Sequence, residues 1–431
     1  MADRSTGSEL FCLFTWGANS YGQLGLGHKE DVLQPEGARL GQCLEGGVRS
    51  LSGGGGHSAV VTGAGEVLLC GQNNKGQLGL GHTVDALLFT PCAALRGHNV
   101  VQVSGGWDFT VILTGDGRVL ACGSNAFGQL GVPHHPAGSS VPLPIKSLTE
   151  KVVEVAAGLR HALAVTETGR VYQWGTGMAA QARRSLQPRP VPAFLVAKQP
   201  CQVPGMENVK VRKVAAGACH SVCLTAPALY EKGIRKARAV MGLRSIQKTG
   251  FNFTSSIVLS TAAGGAVLSG ELSAMLCGMR CPDLGHFTAR RAELYTEFVG
   301  LGQRTGQDRT ESGDVFTWGR ADYGQLGRKA AANGRTEARD LTDGSSTQSA
   351  TFVPLTVLDL AGASQVSCGS EHNLAVVGGR CLSWGWNEHG MCGDGTETNL
   401  SAPQPITALQ NTRPVLIGCG AGHSMVFCHR T

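Results

Sequence analysis

Charge is scarce in this chain: Asp, Glu, Lys and Arg together supply 16% of its 431 residues. So low a charge content excludes a solvated disordered polymer and a coiled coil with charged flanks. Neither sign dominates. Lys and Arg number 37 and Asp and Glu 31, a net charge of +6, and the stretch 226–311 alone holds 11 basic against 7 acidic residues. The remainder is nearly neutral, 26 against 24, which argues against a broad phosphate-binding surface and against nucleic acid as the partner. No Cys-x-x-Cys pair occurs among the 15 scattered cysteines, and Met1–Ser5 lacks the basic-then-apolar pattern of a secretory signal. Reduced thiols in a cytoplasmic protein, with the nucleus also open to it, are therefore expected. The uncharged run from Lys248 to Glu271 is diluted by Ser, Thr and Gly, so no membrane span is expected either.

Glycine is abundant. Its 62 residues are about twice the usual share and point to a turn-rich, β-rich fold. Much of it falls in two recurring half-motifs. The first is Trp/Cys–Gly, commonly followed by Gly-Gln-Leu-Gly: Trp16-Gly17 with Gly22–Gly25, Cys70-Gly71 with Gly76–Gly79, Cys122-Gly123 with Gly128–Gly131, and Trp318-Gly319 with Gly324–Gly327. Trp174-Gly175 lacks the tail, and Trp384-Gly385 carries the variant Gly390-Met391-Cys392-Gly393. The second half-motif is Gly-x-x-His, around His57, His161, His220, His372 and His423, with Phe109 in the histidine position once. From Gly17 to Gly175 the steps are 54, 52 and 52 residues.

Between the halves, two apolar runs flank a short glycine-containing turn, which is a β-hairpin signature. Each unit offers three or four strands and cannot bury both faces alone, so radial stacking into a propeller is predicted. The chain opens with a Trp-Gly half and stops after a His half, so one blade is built from both termini. Four contiguous units, this composite and two half-units give seven blades. The organisation expected is 1–225 and 311–431 as propeller, separated by an atypical segment at 226–310. That segment reads either as an insertion or as a splice or gene-model difference, and its composition favours an irregular excursion with one amphipathic helix at Thr288–Gly300.

The Gly-x-x-His…Trp-Gly…Gly-Gln-Leu-Gly unit resembles the repeat of the regulator of chromosome condensation family, over about residues 10–225 and 311–428. The runs Trp16–Asp31 and Trp384–Gly395 are similar to members of that family associated with secretion. The resemblance implies an all-β, seven-bladed propeller and a guanine nucleotide exchange factor or regulator of a small GTPase, with no covalent chemistry and no cofactor. It also implies that residues just before each repeated histidine contact the GTPase; here the matching positions include Trp107, Asp108, Arg160 and Glu371. The alternative is a propeller scaffold that binds secretory, vesicle-tethering or exocyst-like proteins without exchange. In the family's chromosome-bound member a protruding hairpin prises the GTPase open, and the even 52-residue steps leave no surplus for one.

The repeated residues themselves read as structure. One histidine per blade cannot share a metal ion, so His57, His161, His220, His372 and His423 are expected to bond backbone within their own blades. Trp16, Trp174, Trp318 and Trp384, with Cys70 and Cys122 in the same position, are expected in the core, and Leu of Gly-Gln-Leu-Gly between blades. Cys219 and Cys223 lack further zinc ligands. The loops at Asn19–Tyr21 and Arg320–Tyr323 are assigned to the face opposite Trp107.

Overall fold

The structure, a computed structural model, describes residues 11–38, 40, 46–135, 137–186, 190–206, 210–217, 221–225, 259–261, 314–320, 322–328 and 350–430. Strands dominate because the half-motifs supply short apolar runs rich in β-branched residues, bounded by glycine turns. Strands β1 (Phe11–Gly17) and β2 (Val32–Gly37) open the chain. Three four-stranded units follow. The first is β3 (Val48–Gly53), β4 (His57–Thr62), β5 (Val67–Gly71) and β6 (Ala86–Pro91). The second is β7 (Val100–Gly105), β8 (Phe109–Thr114), β9 (Val119–Gly123) and β10 (Ser139–Pro144). The third is β11 (Val152–Ala157), β12 (Ala162–Thr166), β13 (Val171–Trp174) and the short β14 (Cys201–Gln202). Where the Gly-Gln-Leu-Gly tail is missing after Trp174, the chain instead forms α1 (Ala179–Leu186), whose Ala182 is buried beside Met178 and Phe194.

Next come β15 (Val211–Ala216) and β16 (Ser221–Thr225), then β17 (Leu259–Thr261), β18 (Asp314–Arg320) and β19 (Ala350–Thr356). The last complete unit is β20 (Ala363–Cys368), β21 (His372–Val377), β22 (Arg380–Gly385) and β23 (Leu400–Pro405). Strands β24 (Thr412–Cys419) and β25 (His423–Arg430) end the described chain. All the pairings are antiparallel within these units, and among the described residues there are seven sheets. The expected half-units are the two short sheets, β15-β16 and β17-β18-β19.

Closure is as the repeat count required. The first and last strands share a sheet in the order β2-β1-β25-β24, with Phe11 opposite His429 and Gly17 opposite His423. The core is distributed: apolar clusters lie between neighbouring sheets, as where Leu78 and Cys122 meet Val61, Val100 and Ile112. Leu24, Leu78, Leu130 and Leu326 are all buried in such seams. Of the atypical segment, Leu259–Thr261 pairs with Asp314–Phe316 and fills the position that a Gly-x-x-His strand takes elsewhere. The helix expected at Thr288–Gly300 lies outside the described residues, as does His220.

Candidate functional site

The repeated histidines do not bond within their own blades as expected. They reach across each seam. His57 Nε2 lies 2.9 Å from Thr110 Oγ1 of the next blade, and that hydroxyl donates to the Gln77 carbonyl at 2.7 Å. His423 meets Ser58 at 2.7 Å, and Ser58 donates to the Gln23 carbonyl. His372 meets Ser424 at 3.0 Å, and Ser424 donates to Met391. His161 meets Ser221 at 3.1 Å. A hydroxyl that has given its one proton to a carbonyl can only accept from the ring, so Nε2 carries the hydrogen in the first three. Their Nδ1 atoms are buried without a partner. Protonation would place a charge there with nothing to receive it, and burial pushes His57 and His372 down to about 4 and His423 to about 3.

The tryptophans add a second kind of bond across the seams. Trp16, Trp174 and Trp384 donate from Nε1 to the carbonyls of Met391, Gln129 and Gln325 in the preceding blade, at 2.8, 2.8 and 3.0 Å. Cys70 and Cys122 point their thiols at the equivalent carbonyls of Gln23 and Gln77, at 3.3 and 3.5 Å. Where Phe109 replaces the histidine, the hydroxyl position of the next blade is Ala162 and the seam is apolar. The sequence carried this signal, a hydroxyl after each latch histidine's counterpart and an alanine after the phenylalanine's. Trp318 lies in β18 as expected, although its side chain is outside the described set.

Strand register also decides which loops share a face. His57 pairs with Gly71, Phe109 with Gly123 and His372 with Gly385, so the Gly-x-x-His turn and the loop after Trp/Cys-Gly leave the same end of each blade. Backbone bonds join the two, as from Gln72 N–H to Gly56 O and from Ala18 N–H to Gly422 O, both 2.8 Å. Asn19–Tyr21 and, of the second loop, Arg320, Asp322 and Tyr323 are therefore on the Trp107 face, not opposite it.

At the centre of that face the Gly-x-x-His turns ring a cavity of about 120 Å³. Neighbouring turns bond to each other: Ser370 N–H to Ala421 O, Ala421 N–H to Gly54 O, Gly55 N–H to Gly106 O, and Leu159 N–H to Gly217 O, at 3.0–3.2 Å. A side chain on Gly54 would collide with the His57 ring, which is why glycine opens the motif.

Trp107 lines this mouth half-buried, packed over Gly55. Asp108, also half-buried, accepts from Gln129 Nε2 at 3.2 Å. The Gln129 amide in turn receives the Phe127 N–H at 2.8 Å, and the exposed Arg160 guanidinium stands 4.4 Å above the Phe127 ring. Three of the four expected site residues thus form one patch on adjacent blades, with Phe127 as an unforeseen member. Glu371 does not join them. It lies three blades further round, is 8% exposed, and accepts the Trp386 N–H through its carbonyl at 2.8 Å. Near it Tyr323 packs on Trp386 and Trp386 on His389, with centroids 6.1 and 5.9 Å apart, and His389 contacts Asp31 at 2.8 Å. Among the described residues no His/Cys/Asp/Glu cluster could hold a metal ion, and no helix is long and apolar enough to cross a membrane.

Residues 12–426 match the family model of the RCC1-like domain. The chain belongs to that family. It is 48% identical over 421 residues to the secretion-regulating guanine nucleotide exchange factor of Bos taurus, covering 96% of this chain and 83% of that protein, and 47% identical to the Mus musculus protein of the same name, covering 99% and 87%. The solved structure of Prp20p from Saccharomyces cerevisiae, described with its binding to Gsp1p and histones, superposes with a TM-score of 0.69 over 98% of this chain and 92% of that one, at 21% identity. The fold and the repeat arithmetic are thereby established together.

Proposed function

We propose that this protein is a guanine nucleotide exchange factor, or regulator, of a small GTPase that acts in secretion, and that it docks the GTPase on the latched loop face. The observation that carries this reading is the 48% identity across 96% of the chain to a protein named for that activity. The patch of Trp107, Asp108, Phe127 and Arg160 supports it, because an aromatic beside opposite charges on a rigid rim suits a protein-binding hot spot. Glu371 contributes as a neighbour that positions Trp386.

Exchange of this kind forms no covalent bond. The factor binds the nucleotide-free GTPase more tightly than the loaded one, and by reciprocity nucleotide weakens the factor's own grip. The loop face supplies a surface already ordered by its ring of backbone bonds, so little is spent on fixing loops at docking. The test is release of fluorescent GDP from a panel of purified small GTPases, with and without the protein. Acceleration for at least one, lost in Trp107→Ala, supports exchange.

One observation favours a second reading, a scaffold for vesicle-tethering proteins without exchange. The hairpin turns between β4 and β5, β8 and β9, β12 and β13, and β21 and β22 are each four residues or fewer, so none of them can serve as a prising wedge. Binding of a GTPase or tethering protein with unchanged GDP release would select that reading. Cytoplasm and nucleus remain the proposed places of action.

A further inference from the structure

The seam that closes the ring contains a pair of thiols that neither docking nor exchange uses. Cys12 on β1 stands directly opposite Cys428 on β25. Side chains directly opposite on paired strands lie on one face of the sheet. Here that face carries Trp16, Val426 and Cys428 against the preceding blade. The Ala18 N–H to Gly422 O bond marks a hydrogen-bonded pair, and counting inward by twos along the register makes Cys12 and Cys428 another. Such pairs have Cα atoms roughly 5.5 Å apart, within the range of about 4.4–6.8 Å that a disulfide bridges. Their Cβ atoms lie toward the wide end of about 4.5–5.5 Å, so the two strand ends must draw together by about 1 Å for the bond to form.

We propose that Cys12 and Cys428 are a reversible oxidation site that staples the two ends of the chain across the closing blade. The oxidant is a peroxide. Cys12, partly exposed, is oxidised first: its sulfur takes one peroxide oxygen to become a sulfenic acid, and water is released. The Cys428 sulfur then attacks the Cys12 sulfur, the S–S bond forms, and the hydroxyl leaves with the Cys428 proton as a second water. Two thiols are oxidised and one peroxide is reduced to two waters. A small dithiol or glutathione reverses the step by exchange.

The order follows from the surroundings. Burial, with Cys12 adding to it, pushes the Cys428 thiol up to about 11, so Cys428 is not the thiol that meets peroxide first. Its resolving role rests on its place directly opposite Cys12 in the paired strands. Cys381 lies in the same buried cluster as Cys428 but on the neighbouring blade, and is itself buried and driven well above the usual thiol range. The consequence is mechanical. In the reduced ring the β1–β25 seam is held by a strand ladder; in the oxidised ring it is covalent, and the first strand cannot peel away without reduction.

The experiment uses the purified full chain, treated with hydrogen peroxide at one equivalent and digested without reductant for mass spectrometry. A linked peptide joining Cys12 to Cys428 is expected, together with a rise of about 3 °C or more in the melting midpoint, both reversed by dithiothreitol. Cys12→Ser should abolish the link and the rise, while Cys381→Ser should keep both. Recovery of Cys428 joined to Cys381, or of Cys12 and Cys428 both as free thiols after the peroxide is consumed, would overturn the proposal. Cys12→Ser changes only the partly exposed partner, so the outcome does not depend on whether a Cys428 variant folds.

Discussion

Acid should open the ring at its histidine latches, and the size of the effect can be worked from the seams. His57, His372 and His423 are held neutral, at about 4, 4 and 3 against an ordinary 6.5, chiefly by burial. The folded state therefore binds fewer protons than the unfolded chain below pH 6.5. Their contribution to stability is whole above that value and is lost as pH falls toward about 4. At pH 5 each unfolded histidine is almost fully protonated and each latch is not, which costs about 2 kcal/mol per residue and about 6 kcal/mol for the three. That is comparable with the whole stability of many domains, about 5–15 kcal/mol. Carboxylates with ordinary values near 4 change little above pH 5, so the window from pH 7 to 5 reports mainly on histidine.

The assay is urea unfolding followed by tryptophan fluorescence at pH 7.5, 6 and 5. Trp16, fully buried in the seam latched by His372 and Ser424, reports its opening directly, and Trp174 and Trp384, fully buried in other seams, report the collapse of the ring that follows. A midpoint that falls steeply between pH 6 and 5 is expected. The control copies a seam that the chain already contains: His57→Phe with Thr110→Ala reproduces the Phe109–Ala162 pairing and should remove about a third of the pH dependence. A midpoint flat from pH 7.5 to 5, or a double variant with undiminished slope, would refute the latch.

The other expectations concern the site and the ring. Trp107→Ala should weaken partner binding by about 2 kcal/mol or more in calorimetry with little change in melting temperature. Asp108→Ala and Arg160→Ala should mainly slow association and alter its salt dependence in stopped-flow measurements. Trp384→Ala removes a fully buried ring and its bond to Gln325, and should cost about 3–5 kcal/mol in denaturant unfolding. Deleting residues 1–17 removes β1 from the closing sheet, so the whole melting profile should move down; an unchanged profile would mean that the seam does not matter.

What could be read from the sequence was what repeats. Hairpins at a 52-residue period, a composite blade and a count of seven follow from local chemistry and arithmetic, and the seven sheets agree. What could not be read was what lies between repeats. His57 meets Thr110 over 53 positions of sequence and His423 meets Ser58 over 365, and no local pattern says whether a buried ring nitrogen turns inward or across a seam. The face of the Tyr323 loop follows from antiparallel register, which returns β5 to the end where β4 began, and no residue type in the loop itself announces that. Phe127 carries no local signal either, since it joins the Arg160 patch from the loop of another blade. Only Leu259–Thr261 of the atypical segment is described within a sheet, and nothing in its composition marked those three residues as the strand.

The placement of the apolar seam bears on the proposed function. Trp107 and Asp108 immediately precede Phe109, and Arg160 immediately precedes His161, so the candidate patch sits over a seam that lacks a titratable latch. Protonation that loosens the His57, His372 and His423 seams leaves the packing of Phe109 against Ala162 and Trp174 without a charge to accommodate. The docking patch should therefore keep its geometry on acidification after the rim over the His57, His372 and His423 seams has lost it. Partner binding at pH 6 should then stay near its neutral value while the denaturant midpoint has already begun to fall. A rigid platform for docking needs stiffness beneath the contact residues more than uniform stability around the ring, and a hydrocarbon seam at that position provides it independently of pH.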